Sequence, residues 1–300
     1  MSGVQTNRSN ISLPMEVSSE IIQKTQESSA VMQLARQIPL PGRGLTIPVI
    51  TSDPEASWVG ETASKPVSNP GLDTKLMQGY TLAVIVPFSN QFRRDMAALY
   101  DACITRLPNA LAQKFDNTVF GGTAAPGSNF DTFASVTAVS INPSEYSGKT
   151  PAAYNGLVQV DLNVAVNGGI LNGYALSPQG KGILLQSSDD NGRPLFINNV
   201  SESAIPVILG SPVKITKGAY IDGSPKVVGF AGDWTKAMYG VVEGVNISIS
   251  DQATLDLGGG STINLFQQDM FAVRAEIEIG FVADTTVFNK LTSAGSTPSF

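Results

Sequence analysis

PFSNQFRRDMAALYDACITRLPNALAQKFDNTVFGG, running from Pro87 to Gly122, decides the fold. Phe92, Met96, Leu99, Cys103, Leu107, Leu111, Phe115 and Val119 recur every three or four residues, the period of one helix face. Ser89 is the expected N-cap and Gly121-Gly122 the expected stop. About thirty residues at about 1.5 Å each make a rod of roughly 45 Å. Pro108 lies inside the pattern, where its ring crowds the carbonyl of Ile104 and predicts a kink. Arg93, Arg94, Asp95, Asp101, Gln113 and Lys114 give the rod a wet side. Such a helix is a spine against which a sheet packs.

The sheet is legible at the far end of the chain. Val273, Ala275, Ile277, Ile279 and Phe281 alternate with Arg274, Glu276, Glu278 and Gly280, a period of two. Gly244–Ser250 has the same character and is the natural antiparallel partner, so the apolar faces of the two strands should cover the spine helix. Between them LDLGGGSTINLF reads as a flexible loop. Upstream, residues 45–50 and 75–88 read as strands rich in Val, Ile, Leu and Tyr, joined by a Ser-, Pro- and Gly-rich span with a short central piece at Ala56–Val59. A two-stranded ribbon is marginal in water. One this long, with Trp58 and Val59 near its tip, is expected to rest on another subunit. Residues 13–42 carry a short helical pattern through Val17, Ile21 and Ile22, then an extended piece from Val31 to Ile38. Residues 150–242 alternate helix and strand, with Thr150 before Pro151 and Ser177 before Pro178 as helix starts, which suggests a compact α+β unit.

Composition narrows the function. The 300 residues are 42% hydrophobic and 15% charged, enough to fill a core, and no apolar run reaches the roughly 20 residues that cross a bilayer. There is no histidine and one cysteine, Cys103, on the apolar face of the rod. Zinc sites of the usual Cys/His kind, His-based triads and an intrachain disulfide are therefore excluded. Gly180-Lys181 fails as a phosphate loop, because Ala175 and Gly182 stand where Gly and Ser or Thr are needed. Asp189-Asp190-Asn191-Gly192 reads as a turn, since Asn198 occupies the position of the bidentate calcium ligand. Trp234 in the run GDW reads as packing at a sheet end. No cofactor or metal site is expected, and no enzyme. The net charge of −6 disfavours a protein that coats nucleic acid and suits a wall that does not adhere to DNA beside it.

Several blocks together resemble the tailed-bacteriophage major capsid proteins, the Hong Kong 97-type shell fold. They are SDPEASWVGETASKP, KLMQGYTLAVIVPFSNQFRRD, DDNGRPL, ILGSPV, GFAGDWTKAMYGVVEGVNISIS and NLFQQDMFAVRAEIEIGF with VFNKL, in the family's order over roughly residues 14–292. The resemblance implies an α+β fold: an N-terminal arm (1–44), an extended loop (45–86), a peripheral domain with the spine helix on an antiparallel sheet (87–155 and 244–284), a compact α+β axial domain (156–243) and a C-terminal tail (285–300). It implies hexamers and pentamers closing an icosahedral shell around double-stranded DNA, assembled in the host bacterial cytoplasm, with a portal protein and a possible cement or decoration protein as partners and no membrane. An encapsulin-like protein compartment is the alternative. The arm begins close to Met1, so a separate scaffolding protein is expected. Some members join a loop lysine to an asparagine with help from a glutamate. Here Glu276 matches the glutamate, Lys65 is the loop lysine, and Asp269 holds the asparagine position. A carboxylate is a poor acyl donor, so no cross-links are expected and Glu276 should be an ordinary exposed strand residue. The candidate inter-subunit contacts are Trp58, Val59, Glu61, Lys65, Arg93 and Arg94, the arginines toward Asp53, Glu55 or Glu61 of a neighbour.

Overall fold

The computed structural model describes residues 29–52, 56–60, 64–65, 67, 71–90, 96–141, 152–187, 196 and 207–293. In chain order they form α1 (Ala30–Leu34), β1 (Arg36–Pro39), β2 (Leu45–Ser52), β3 (Gly71–Met77), β4 (Tyr80–Ser89), α2 (Met96–Val119), β5 (Thr137–Ser140), α3 (Ala152–Val166), β6 (Gly173–Leu176) and α4 (Pro178–Gln186). There follow β7 (Val207–Ile208), β8 (Ser211–Ile215), β9 (Lys226–Gly232), β10 (Ala237–Ser250), β11 (Thr254–Asp256), β12 (Thr262–Asn264), β13 (Met270–Ala283) and β14 (Phe288–Ser293). Val17, Ile21, Ile22, Thr150, Pro151 and the Asp189–Gly192 turn lie outside the described residues, as does the side chain of Cys103.

Two sheets organise the body. A four-stranded sheet has the order β1-β10-β13-β4, with β1 parallel to β10 and the other pairs antiparallel. The expected pairing of Gly244–Ser250 with the alternating strand holds, with Ile247 opposite Ala275 and Ile249 opposite Val273. The inward residues Val245, Ile247, Val273, Ala275 and Ile277 meet Leu107 and Leu111 of α2, so the spine helix does pack on this sheet. A six-stranded sheet has the order β5-β14-β9-β6-β8-β7. Its alternation sends Ala175, Phe230 and Phe288 into the core shared with the end of α2, where Phe133 stacks on Phe288 at 4.4 Å and Phe120 on Phe230 at 4.6 Å. Tyr174, Leu176 and Leu291 point the other way, onto Leu157 and Val160 of α3 and Leu184 of α4. Trp234 closes the sheet end as expected: it is buried, and its Nε1 donates to the Gly173 carbonyl at 3.0 Å.

Several expectations need correction. β4 runs through Ser89, so Ser89 ends a strand instead of capping the spine helix, whose described part begins at Met96 and is 24 residues long, about 36 Å. The helix continues through Pro108 without ending there. It stops, as expected, before Gly121, which takes a left-handed φ of 85°. Val31 is helical: Ser29 caps α1 by accepting from Met32 N, so the extended piece is shorter and starts at Arg36. The strand expected at Gly244–Ser250 reaches back to Ala237, so residues 237–250 form one 14-residue strand bulged between Val241 and Asn246. The triglycine segment is no loose loop. It turns the β11–β12 hairpin, with Gly258, Gly259 and Gly260 all at positive φ. Phe288–Ser293, expected in a tail, is a strand held between β5 and β9 with Phe288 and Leu291 buried.

Candidate assembly surfaces

The long hairpin stands apart from both sheets. β2 and β3 pair antiparallel from Leu45 opposite Met77 to Ser52 opposite Gly71 and form a sheet of their own. Its base is fixed at two points. Met77 is buried with Leu40 and Val282. Lys75 Nζ donates to Asp131 Oδ2 at 2.9 Å and to the Ala283 carbonyl at 2.9 Å, while Asp131 Oδ2 accepts from Ala283 N at 3.0 Å. Beyond the base nothing in its own chain covers the described tip: Trp58 is fully exposed, Val59 is exposed, Val67 is 87% exposed, and Lys65 is exposed. Ala56–Val59 has no regular structure. Glu61, Arg93 and Arg94, with Asp53 and Glu55, lie outside the described residues. The structure therefore leaves Trp58, Val59 and Lys65 exposed in the span between β2 and β3 and leaves the other candidates unpositioned.

The region matched to the family's cross-link is a turn. Asp269 has a φ of 52°, and its Oδ1 accepts from Asn90 Nδ2 at 2.6 Å while its carbonyl accepts from Asn90 N at 2.9 Å. Glu276 is not simply exposed. It is half-buried, and its Oε1 accepts from Asn246 Nδ2 at 3.3 Å and Arg274 Nη2 at 3.4 Å, because the strand register sets Asn246 directly across from it. Among the described residues no three Cys, Asp or Glu side chains cluster as metal ligands, and no helix is long and apolar enough to cross a membrane.

Sequence reasoning missed the residue that ties the parts together. Asp116 of α2 is wholly buried and accepts four hydrogen bonds: Ser29 Oγ at 2.6 Å, Val31 N at 3.3 Å, Ala30 N at 3.0 Å and Thr216 Oγ1 at 2.8 Å. It thereby joins the end of the arm, the spine helix and the turn after β8. Burial pushes its carboxyl up to about 6, although Ser29, Ala30, Thr216 and Val31 all donate to it and pull the other way. The available signal was position: Asp116 sits between Phe115 and Val119, on the apolar arc of the helix, where an unpaired charge would be costly.

Residues 10–285 match the Phage capsid family. The probable major capsid protein gp17 of Mycobacterium phage L5 is 31% identical over 297 residues, spanning 95% of this chain and 90% of that protein. A solved structure titled Mycobacterium phage Bobi superposes with a TM-score of 0.70 at 20% identity, covering 99% of this chain and 96% of that one. The capsid of the native GTA particle computed with C5 symmetry superposes with a TM-score of 0.65 at 14% identity, covering 98% and 96%.

Proposed function

Because the chain belongs to the phage capsid family and is a phage major capsid protein of the virion shell, we propose that it assembles as hexamers and pentamers into an icosahedral shell around double-stranded DNA, without covalent cross-links. The observation that carries this is the ribbon of β2 and β3. Its base is clamped, and its apolar tip has no cover in its own chain. A ribbon of that kind is marginal alone and becomes stable only against a neighbour. Negative-stain electron microscopy of the concentrated protein, beside light scattering on a sizing column, tests it: closed shells or rings of five and six are expected. A monomer under all conditions, including with a scaffolding protein present, would reject it. The protein-compartment alternative is not favoured, since the relatives are phage capsid proteins.

The same proposal divides the chain into an arm (1–44), an extended loop (45–86), a peripheral domain (87–155 and 244–284) and an axial domain (156–243) to which β14 adds a strand. A separate scaffolding protein, a portal protein and a cement protein are its proposed partners, with assembly in the host cytoplasm. The absence of cross-links rests on Asp269, whose carboxylate already holds the turn through Asn90. Boiled particles should run as one monomer band on a denaturing gel, and a ladder of covalent multimers would refute this. Arg93 and Arg94 are proposed to meet acidic groups of a neighbour's hairpin. Exposed ion pairs contribute about 0.2–1 kcal/mol each, so the doubly substituted Arg93→Ala, Arg94→Ala particle should melt a few degrees lower. An unchanged melting point removes the contact.

A further inference from the structure

Helix α3 is apolar on both sides. Ala153, Leu157, Val160 and Val164 are buried. On the outer side Tyr154, Val158, Leu162 and Val166 are 42%, 43%, 55% and 78% exposed, one every four residues, and Ile170 continues the line at 78%. Residues four apart stand above one another on one ridge. From Tyr154 to Val166 the ridge is about 18 Å long at about 1.5 Å per residue. The helix carries one charged residue, Asp161, which is also exposed. Single exposed apolar side chains are ordinary, but a helix that is apolar all round is normally buried, and a continuous exposed row marks a contact. A close approach fixes the ridge in place: a Cβ at Gly156 would overlap the carbonyl oxygen of Ser140 in β5.

A second apolar patch lies at the opposite margin of the same sheet. α3 packs over β5, β14 and β9, whereas β7 is the other edge strand. There Val207 and Leu209 of the β7–β8 hairpin are 48% and 46% exposed, and the half-buried Lys214 lies on the same face as Val207, two residues beyond its register partner Pro212. Five strand spacings of about 4.8 Å separate β5 from β7, roughly 24 Å. The two patches cannot cover each other within one chain. They match in character: an apolar ridge with one carboxylate, and an apolar turn with one ammonium group beside it.

We infer that the outer ridge of α3 receives the β7–β8 turn of the next copy of this chain, with Asp161 facing Lys214. This contact joins different surfaces of identical copies, the type that builds a ring when its rotation closes after five or six steps. The inference rests on the ring assembly proposed above and assigns the seam between adjacent copies in the ring. The hairpin is left to make a separate contact.

Paired cysteines test it in a Cys103→Ser background. Particles carrying Leu162→Cys together with Leu209→Cys, treated with a short bismaleimide, should give a ladder of covalent multimers on a denaturing gel, while each single cysteine variant stays monomeric. A dimer from Leu162→Cys alone would mean that the ridge meets itself, and would overturn the assignment. So would a lone monomer band from the paired variant in particles that are visibly closed, an outcome that leaves the capsid reading standing. A parent protein that never forms rings is the distinct failure of that reading. Charge reversal gives a second readout. Asp161→Lys should lower the yield of rings at least about tenfold, because like charges brought together in an interface cost several kcal/mol. Adding Lys214→Asp should restore the yield, and loss without restoration rejects the seam.

Discussion

Replacing Asp116 by alanine should cost the unassembled chain about 3–5 kcal/mol of unfolding free energy. The substitution leaves the Ser29 and Thr216 hydroxyls and the backbone N–H groups of Ala30 and Val31 without their acceptor in a site closed to water. Each stranded donor costs about 1 kcal/mol or more. The effect reaches beyond the helix, because these donors belong to α1 and to the turn after β8. Urea unfolding checks it, and a loss below about 1 kcal/mol would show that the network contributes little. The same residue sets a pH dependence. An acid whose folded value, about 6, exceeds its ordinary value of 3.8 binds its proton more tightly in the folded state. The part of its contribution that depends on that proton is therefore fully present below pH 4 and is lost as the pH rises to about 6, some 3 kcal/mol at roughly 1.4 kcal/mol per unit. Asp233 works in the opposite sense. Burial raises its carboxyl, but donors from Thr235 and Ile170 and the charge of Lys236 outweigh that and hold it below 3.8, so its contribution is lost only on further acidification. Between pH 4 and 6 the difference in slope between the parent and Asp116→Asn isolates the one group. Equal slopes would show that its carboxyl is not displaced.

The second large effect is on assembly and not on folding. Excising residues 53–70 and joining Ser52 to Gly71 through Asn-Gly keeps the ladder from Leu45–Met77 to Ser52–Gly71 and supplies a turn suited to a two-residue hairpin. The described tip residues make no buried contact in their own chain, so the unfolding free energy should change by less than about 1 kcal/mol. Shells should disappear. Covering a fully exposed indole of about 200 Å² would contribute up to roughly 5 kcal/mol per copy at 25 cal/mol per Å², and the proposed contact would recur at every neighbour. Trp58→Ala is the graded version, expected to raise the concentration at which particles first form. Normal shells from the shortened chain would remove the hairpin from the assembly interface.

What the sequence disclosed follows from how local each signal is. β13 is legible because its alternation is unbroken over nine residues, and α2 because its apolar period survives Pro108. α1 is not, since its five residues are held by Ser29 and Asp116, a contact made 87 residues away. β10 looks like two strands because Gly240 and Gly244 interrupt the pattern, yet pairing with β13 carries it through a bulge. The ribbon and its apolar tip were visible as a long hairpin rich in turn residues. The clamp of Lys75 on Asp131 was not, because 56 residues separate them and neither carries a motif. The outer ridge of α3 was hidden for a different reason. Its spacing is plain in the sequence, but a helix apolar on both sides reads as core until the fold shows which side the sheet takes.

The position of β14 has a consequence in time. The strand nearest the end of the sequence lies second from the margin of its sheet and bridges β5, synthesised about 150 residues earlier, to β9. At 5–20 residues per second the ribosome needs about 8–30 s to pass from Ser140 to Ser293, and until then β5 and β9 have no common partner. The nascent protein is thus kept from completing the module that carries the ridge and the turn until β14 has been made. A chain cut after Asp284 should bind an apolar dye and remain outside particles.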